Sequence, residues 1–264
     1  MMRVTYVTMQ SPATSETFAS SNVAALRRLG VDVRVVGMRP PHTDHERMLA
    51  ERGLQDVPIR PMTPARYATS TLLAVRHPVR TWTLLHWAFR WHWLRLHVLL
   101  RCLALLPSAQ AVFASLRAQD PEIVHLFWAH YPSMVAILLM RYSPQTPRTV
   151  FLGAYDLDEG RYGSILEGSV SVARAADVVW NTKEREELVL EGQTKYRVPV
   201  SDVETAAERL AWLLDDDMSR EANAVEARRH VELHFTVDAS MWAYVDVWKD
   251  VLVRREGGIP CAES

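Results

Sequence analysis

The sequence predicts an α/β fold: a Rossmann-like, doubly wound parallel sheet with C-terminal helices packed back onto it. Three observations carry that expectation. Short β-rich runs at Arg3–Met9, Val31–Val36, Glu122–Phe127, Arg148–Leu152 and Asp177–Asn181 are separated by stretches with helical periodicity, the alternation that builds a parallel sheet. The first unit is strand, Ser-Pro turn, helix capped by Ser15 or Thr14, then Gly30 and a strand, the right length for a βαβ crossover. Beyond Asp202 the pattern becomes three helices with no strand between them, which cannot form a second Rossmann lobe.

Taken in order, the first helix runs from Glu16 to Leu29. Residues 39–65 are rich in Pro and His and read as a loop with a short helix near 44–53. The chain is then helical from Val79 to Leu106, with a second helix to Ala118. Helices are expected at 133–142, 165–175 and 182–191, each following a strand. After the junction, helices at 202–214, 218–234 and 236–255 complete the chain. Ligands of such a sheet sit at the carboxyl ends of its strands.

The 264 residues carry a formal net charge of −1, which gives no global attraction to nucleic acid. Cationic residues are nearly all Arg, with Lys only at 183, 195 and 249. Cys102 and Cys261 form neither a disulfide framework nor a metal cluster, so a cytoplasmic setting is expected and no metal site. The apolar stretch from Leu84 to Leu106 contains Arg90, Arg95 and Arg101, which argues against a membrane span.

Four segments resemble family 4 glycosyltransferases of the two-Rossmann (GT-B) architecture, in particular enzymes of colanic-acid and other exopolysaccharide biosynthesis. They are Ser11-Pro-Ala-Thr-Ser-Glu-Thr-Phe18, Ile123-Val-His-Leu-Phe-Trp-Ala-His130, Ala175-Ala-Asp-Val-Val-Trp-Asn-Thr182, and Val198-Pro-Val-Ser-Asp-Val-Glu-Thr-Ala-Ala-Glu-Arg-Leu210 continued by Val231-Glu-Leu-His-Phe-Thr236. The resemblance implies an N-terminal, acceptor-side lobe at 1–192, a junction at 193–202 in place of a donor-binding lobe, terminal helices at 203–256 that pack on the first lobe, and a tail at 257–264. It also implies a parent enzyme that moves sugar from a nucleotide-sugar, with no further cofactor, to a polysaccharide or lipid-linked acceptor. The expected location is the cytoplasm, peripheral on the inner face of the plasma membrane.

The sequence departs from that family where the donor is held. No Arg-x4-Lys phosphate pair exists, and the one E-x7-E spacing noted, Glu159 with Glu167, lies in a Gly-containing loop of the first lobe. Where relatives place a His after the strand 148–152, this chain has Gly153. This chain alone is therefore expected to be inactive. The alternative is a non-catalytic scaffold of glycosyltransferase type that partners a complete enzyme.

Candidate residues follow from position and chemistry. Ser15, Glu16 and Thr17 lie between a strand and a helix N-terminus, where a donor phosphate could sit, although Glu16 opposes an anion and helix capping explains the Ser as well. Trp128 and Tyr131 offer faces to a pyranose beside His130, a catalytic candidate, whereas His125 reads first as a core histidine. Asp156, the other catalytic candidate, lies with Tyr155 and Asp158 on the next strand-end loop, where carboxylates could orient acceptor hydroxyls. His86, Arg90, His97 and Arg101, spaced 4, 7 and 4 residues apart, form a basic stripe near Trp87 and Trp91. Membrane contact is expected through Trp87, Arg90, Trp91, His97 and Arg101.

Overall fold

The computed structural model describes residues 1–14, 17–153, 172–181, 198–199 and 201–257, with the side chain of Asn181 excepted. The expected helix at 182–191, residues 165–171 of the one expected at 165–175 and most of the junction lie outside the described residues, while 172–174 are helical. Two compact units are present. The first comprises Met1–Thr182 and Tyr244–Ser264, and the second Lys183–Ala243.

The first unit is built on six parallel strands: β1 (Arg3–Thr8), β2 (Asp32–Gly37), β3 (Ile59–Arg60), β4 (Ile123–Phe127), β5 (Arg148–Leu152) and β6 (Val178–Asn181). Their order across the sheet is β3-β2-β1-β4-β5-β6. Winding therefore reverses between β1 and β4, the switch point at which open α/β sheets take their ligands. The helices are α1 (Thr17–Arg28), α2 (His45–Glu51), α3 (Pro64–Arg76), α4 (Pro78–His92), α5 (Leu96–Gln119) and α6 (Ser133–Tyr142).

Register divides the sheet into two chemically different faces. Val7, Leu126 and Val150 are aligned on one face with Val36 and Val124, and they pack with α4, α5 and α6 in an aliphatic core. Tyr6, His125 and Thr149 are aligned on the other. That face is covered by the end of the last helix, α9 (Val237–Glu256). Trp248 of α9 is 0% exposed, and its indole N–H donates to Thr149 Oγ1 at 3.3 Å. Tyr244 stacks on Trp180 with centroids 4.1 Å apart and planes at 6°. Arg255 then closes the helix end, donating from Nη2 and Nε to Asp177 Oδ1 at 2.6 and 2.9 Å. The other oxygen of Asp177 accepts the Arg148 N–H at 2.8 Å, so a carboxylate that is 1% exposed is fully engaged.

Two expectations are corrected and one further helix is found. Residues 39–65 contribute a sheet strand, the two-residue β3, which pairs Ile59 with Val35 and Arg60 with Val36. Residues 64–76 form α3, whose start is fixed by Thr63, the side chain of which accepts the Arg66 N–H. The helix break falls at Trp93–Arg95 rather than near Leu106, and Pro107 lies inside α5. A buried proline forgoes one intrahelical hydrogen bond, and here its ring lies within a helix whose neighbours Leu105, Leu106 and Ala109 are buried. Helix α5 is long and apolar enough to cross a membrane by length and composition, but 56% of its most apolar window is buried inside the protein.

In the second unit, α7 (Val203–Asp215) and α8 (Asp217–His234) precede the start of α9. Asp202 caps α7, accepting the Thr205 N–H at 3.0 Å, and Asp216 caps α8 through the Ser219 N–H at the same distance. Neither helix has a buried residue.

Candidate functional site

The switch point puts two loops side by side, the one leaving β1 and the one leaving β4. The β1 loop begins at Met9 and contains a cis Ser11–Pro12 bond. It is held by the β2 end, since the Met38 and Arg39 amides donate to Met9 O at 3.1 and 2.8 Å. Arg52 of the turn after α2 donates to Ala13 O at 2.8 Å and to Ser20 Oγ at 2.9 Å, which fixes the approach to α1. Thr17 is the first residue of α1 and is exposed. Ser15 and Glu16 lie outside the described residues, so this loop has no described donor-phosphate geometry.

The β4 loop carries the aromatic and imidazole groups. Trp128 follows Phe127 with φ +78°, a left-handed conformation that costs a bulky residue strain. Its indole stacks parallel to His130, at 6.0 Å and 12°, and meets Phe18, Phe127 and Phe151 edge-on at 5.6, 5.8 and 6.0 Å. The space taken by the indole is visible at Gly153. A β-carbon there would lie 1.5 Å from Cζ3 of Trp128. The indole therefore lies directly over the glycine and fills the space that any side chain at 153 would need.

His130 Nδ1 accepts the backbone N–H of Tyr131 at 2.9 Å. That bond fixes the neutral tautomer with the proton on Nε2, the ring atom left to donate to a ligand. Burial, and secondarily the Arg39 guanidinium, lower its pKa to about 4, so the ring is neutral at pH 7. Tyr131 is buried, and burial raises its phenol pKa against the opposing pull of Arg101 and Arg39. The site thus gathers a half-buried tryptophan, a neutral imidazole and the buried Tyr131, whose phenol feels the Arg101 and Arg39 guanidinium groups. That set can hydrogen-bond and stack on a polyhydroxylated ligand.

His125 lies deeper, with Nδ1 2.9 Å from Thr149 Oγ1 and its ring among Tyr6, Trp180, Tyr244 and Trp248. Burial lowers its pKa to about 3. It is a core residue that helps seat α9. Asp156, Tyr155 and Asp158 lie outside the described residues, as do Glu159 and Glu167. Among the described residues no three His, Cys, Asp or Glu side chains converge as a metal site would need.

The Trp-rich segment divides differently from expectation. Trp87 is 6% exposed and packs edge-on against buried His92 at 5.2 Å, and Trp91 is half-buried against the core with the Arg90 guanidinium 5.5 Å over its ring. As surface contacts, Trp87 is therefore corrected to a core residue and Trp91 to a bordering one. Arg90, His97 and Arg101 are exposed. The outward aromatic residues are Trp82, Phe89 and Trp93, which helical spacing alone did not distinguish from the inward ones.

No protein-family model matches the chain, and no curated protein matches it.

Proposed function

We propose that this chain is the acceptor-side lobe of a GT-B-type glycosyltransferase, which binds a glycan or lipid-linked sugar and does not turn over alone. The observation that carries this reading is the Trp128–His130–Tyr131 group at the carboxyl end of β4, beside the point where the sheet winding reverses. A stacked aromatic with a tautomer-fixed imidazole suits sugar C–H faces and hydroxyls. The sequence resemblance supplies the reaction class: transfer from a nucleotide-sugar to an acceptor hydroxyl by a complete parent enzyme. The missing Arg-x4-Lys pair supports inactivity of this chain by itself, because a diphosphate leaving group needs fixed positive charge.

A second reading, a non-catalytic scaffold, is favoured by one specific feature. The Trp128 indole occupies the space beside Gly153 where the resemblance would put a His side chain. A lobe whose reacting corner is filled by indole can keep sugar binding while lacking chemistry.

Both readings are tested by titrating the purified chain, in a calorimeter, with UDP, GDP and their sugar conjugates, and by saturation-transfer NMR with oligosaccharides. The expected result is no nucleotide binding, together with saccharide contact that His130→Phe abolishes. Saturable micromolar binding of one nucleotide would overturn the acceptor-only reading. Saccharide binding that His130→Phe leaves intact would remove the β4 loop from the site.

A further inference from the structure

Helix α4 turns the wrong kind of face outward for a water-facing helix. Val79, Trp82, His86, Phe89 and Trp93 recur at three- and four-residue intervals on one side, and all five are exposed. Trp82, Phe89 and Trp93 are 68%, 50% and 66% exposed. Leu84, Trp87 and Ala88 occupy the buried side. Leu94, Leu96 and Leu100 around the α4–α5 break are exposed as well, as are Leu72 and Val75 on α3. At 1.5 Å rise per residue the α4 stripe alone is about 20 Å long, far more than scattered exposed hydrophobics.

Charge in the same segment is one-sided. Between Asp56 and Asp120 there is no Asp or Glu, while Arg occurs at 60, 66, 76, 80, 90, 95, 101 and 117. The whole chain is near neutral, so this concentration is local. Arg76, Arg90, Arg95 and Arg101 are exposed along or beside the aromatic stripe, as are His86 and His97. Arg80 is turned inward, 5.1 Å over the Phe113 ring.

We infer that the outer face of α3, α4 and the start of α5 docks on an anionic lipid bilayer, with Trp82, Phe89, Trp93, Leu94 and Leu96 entering the headgroup boundary and Arg90 and Arg95 meeting lipid phosphates. Trp and Phe favour that boundary, and long Arg side chains reach from an apolar contact to the charged layer. The charge pattern selects this occupant. A second copy of the same face would set arginine against arginine with no carboxylate to neutralise it. Nucleic acid would use the arginines but leave Leu72, Val75, Leu94 and Leu96 without a partner. The inference goes beyond the sugar chemistry and stands or falls separately from it.

The test is co-sedimentation of the full chain with vesicles of phosphatidylcholine alone and of phosphatidylcholine mixed with phosphatidylglycerol, at low and high salt. Partition into the anionic vesicles is expected to exceed that into the neutral ones by about tenfold or more, and to weaken with salt. The exposed triple variant Trp82→Ser/Phe89→Ser/Trp93→Ser should lose about tenfold in partition while keeping the wild-type thermal midpoint. Arg90→Gln/Arg95→Gln should remove most of the preference for anionic lipid. Three outcomes would overturn the inference. They are equal partition into both vesicle types, partition unchanged in the triple variant, and displacement from anionic vesicles by equimolar duplex DNA, which would assign the face to another polyanion.

Discussion

On one face of the sheet, Val7, Leu126 and Val150 meet an aliphatic layer from α4, α5 and α6. On the other, Tyr6, His125 and Thr149 meet Trp248 and Tyr244 of α9. Both faces exclude water, but they tolerate change differently. The aliphatic contact is non-directional and scales with buried area. The aromatic contact is specific in geometry, because Thr149 Oγ1 serves Trp248 and His125 together and Asp177 Oδ1 accepts from Arg255. The face that makes polar demands is the one that captures the chain's last helix.

The sharpest way to break the comparison is to remove one large residue from each face. Trp248→Ala should cost about 3–5 kcal/mol of stability, and Leu116→Ala on the aliphatic side about 2–5, both read by chemical denaturation. The distinguishing observation is amide exchange. Trp248→Ala should release protection throughout 244–256, whereas Leu116→Ala should lower protection without singling out that helix. Equal loss in both variants would mean the aromatic face has no special role in holding α9.

A smaller effect is expected where the faces meet the site. Gly153→Ala places a methyl group where Trp128 Cζ3 lies and should cost about 1–3 kcal/mol by overpacking. Trp128→Gly removes the overlap and the positive-φ strain at its own cost in lost ring contacts, so adding Gly153→Ala to it should cost little further. A double-mutant cycle showing simple additivity would disprove the coupling.

The smallest effect concerns pH. His125 is 0% exposed and titrates near 3 when folded, whereas an unfolded histidine titrates near about 6.5. Above that value both states are neutral and the burial of the ring carries no proton penalty. As pH falls below it, the unfolded chain takes the proton first, so stability is lost progressively down to the folded pKa. About 1 kcal/mol should disappear between roughly pH 6.5 and 5.5 from this residue. His125→Phe should remove that share of the slope in a series of thermal melts and leave the similar share of His130, and an unchanged slope would place the titration elsewhere.

Much of the fold was legible in local sequence, and the reasons are specific. Arg3–Thr8, Ser133–Tyr142 and Arg148–Leu152 announce themselves because period and length agree with one element type. Ile59–Arg60 does not, since two residues among prolines carry no period and become a strand only by pairing with β2. In α4, aromatic and aliphatic residues occupy both sides, so spacing could not say which tryptophans face inward, and the break at Trp93–Arg95 divides the expected basic stripe between His86 and Arg90 on α4 and His97 and Arg101 on α5. The site was less legible than the fold. Its organising contact joins Trp128 to Gly153, 25 positions apart in sequence, and only the pairing of β4 with β5 brings them together.

The grip of α9 on the sheet has a topological consequence. Because residues up to 182 and from 244 onward belong to one unit, everything from 183 to 243 is, for the chain, a single excursion with both ends tethered. The entropy of closing a flexible excursion grows only as the logarithm of its length, about 0.6 kcal/mol for each doubling. Inserting or removing a domain-sized block there would change the closure cost by about 1 kcal/mol, less than the loss expected from Trp248→Ala. A lobe clasped in this way can exchange what lies between its two ends over evolutionary time without having to re-solve its own folding.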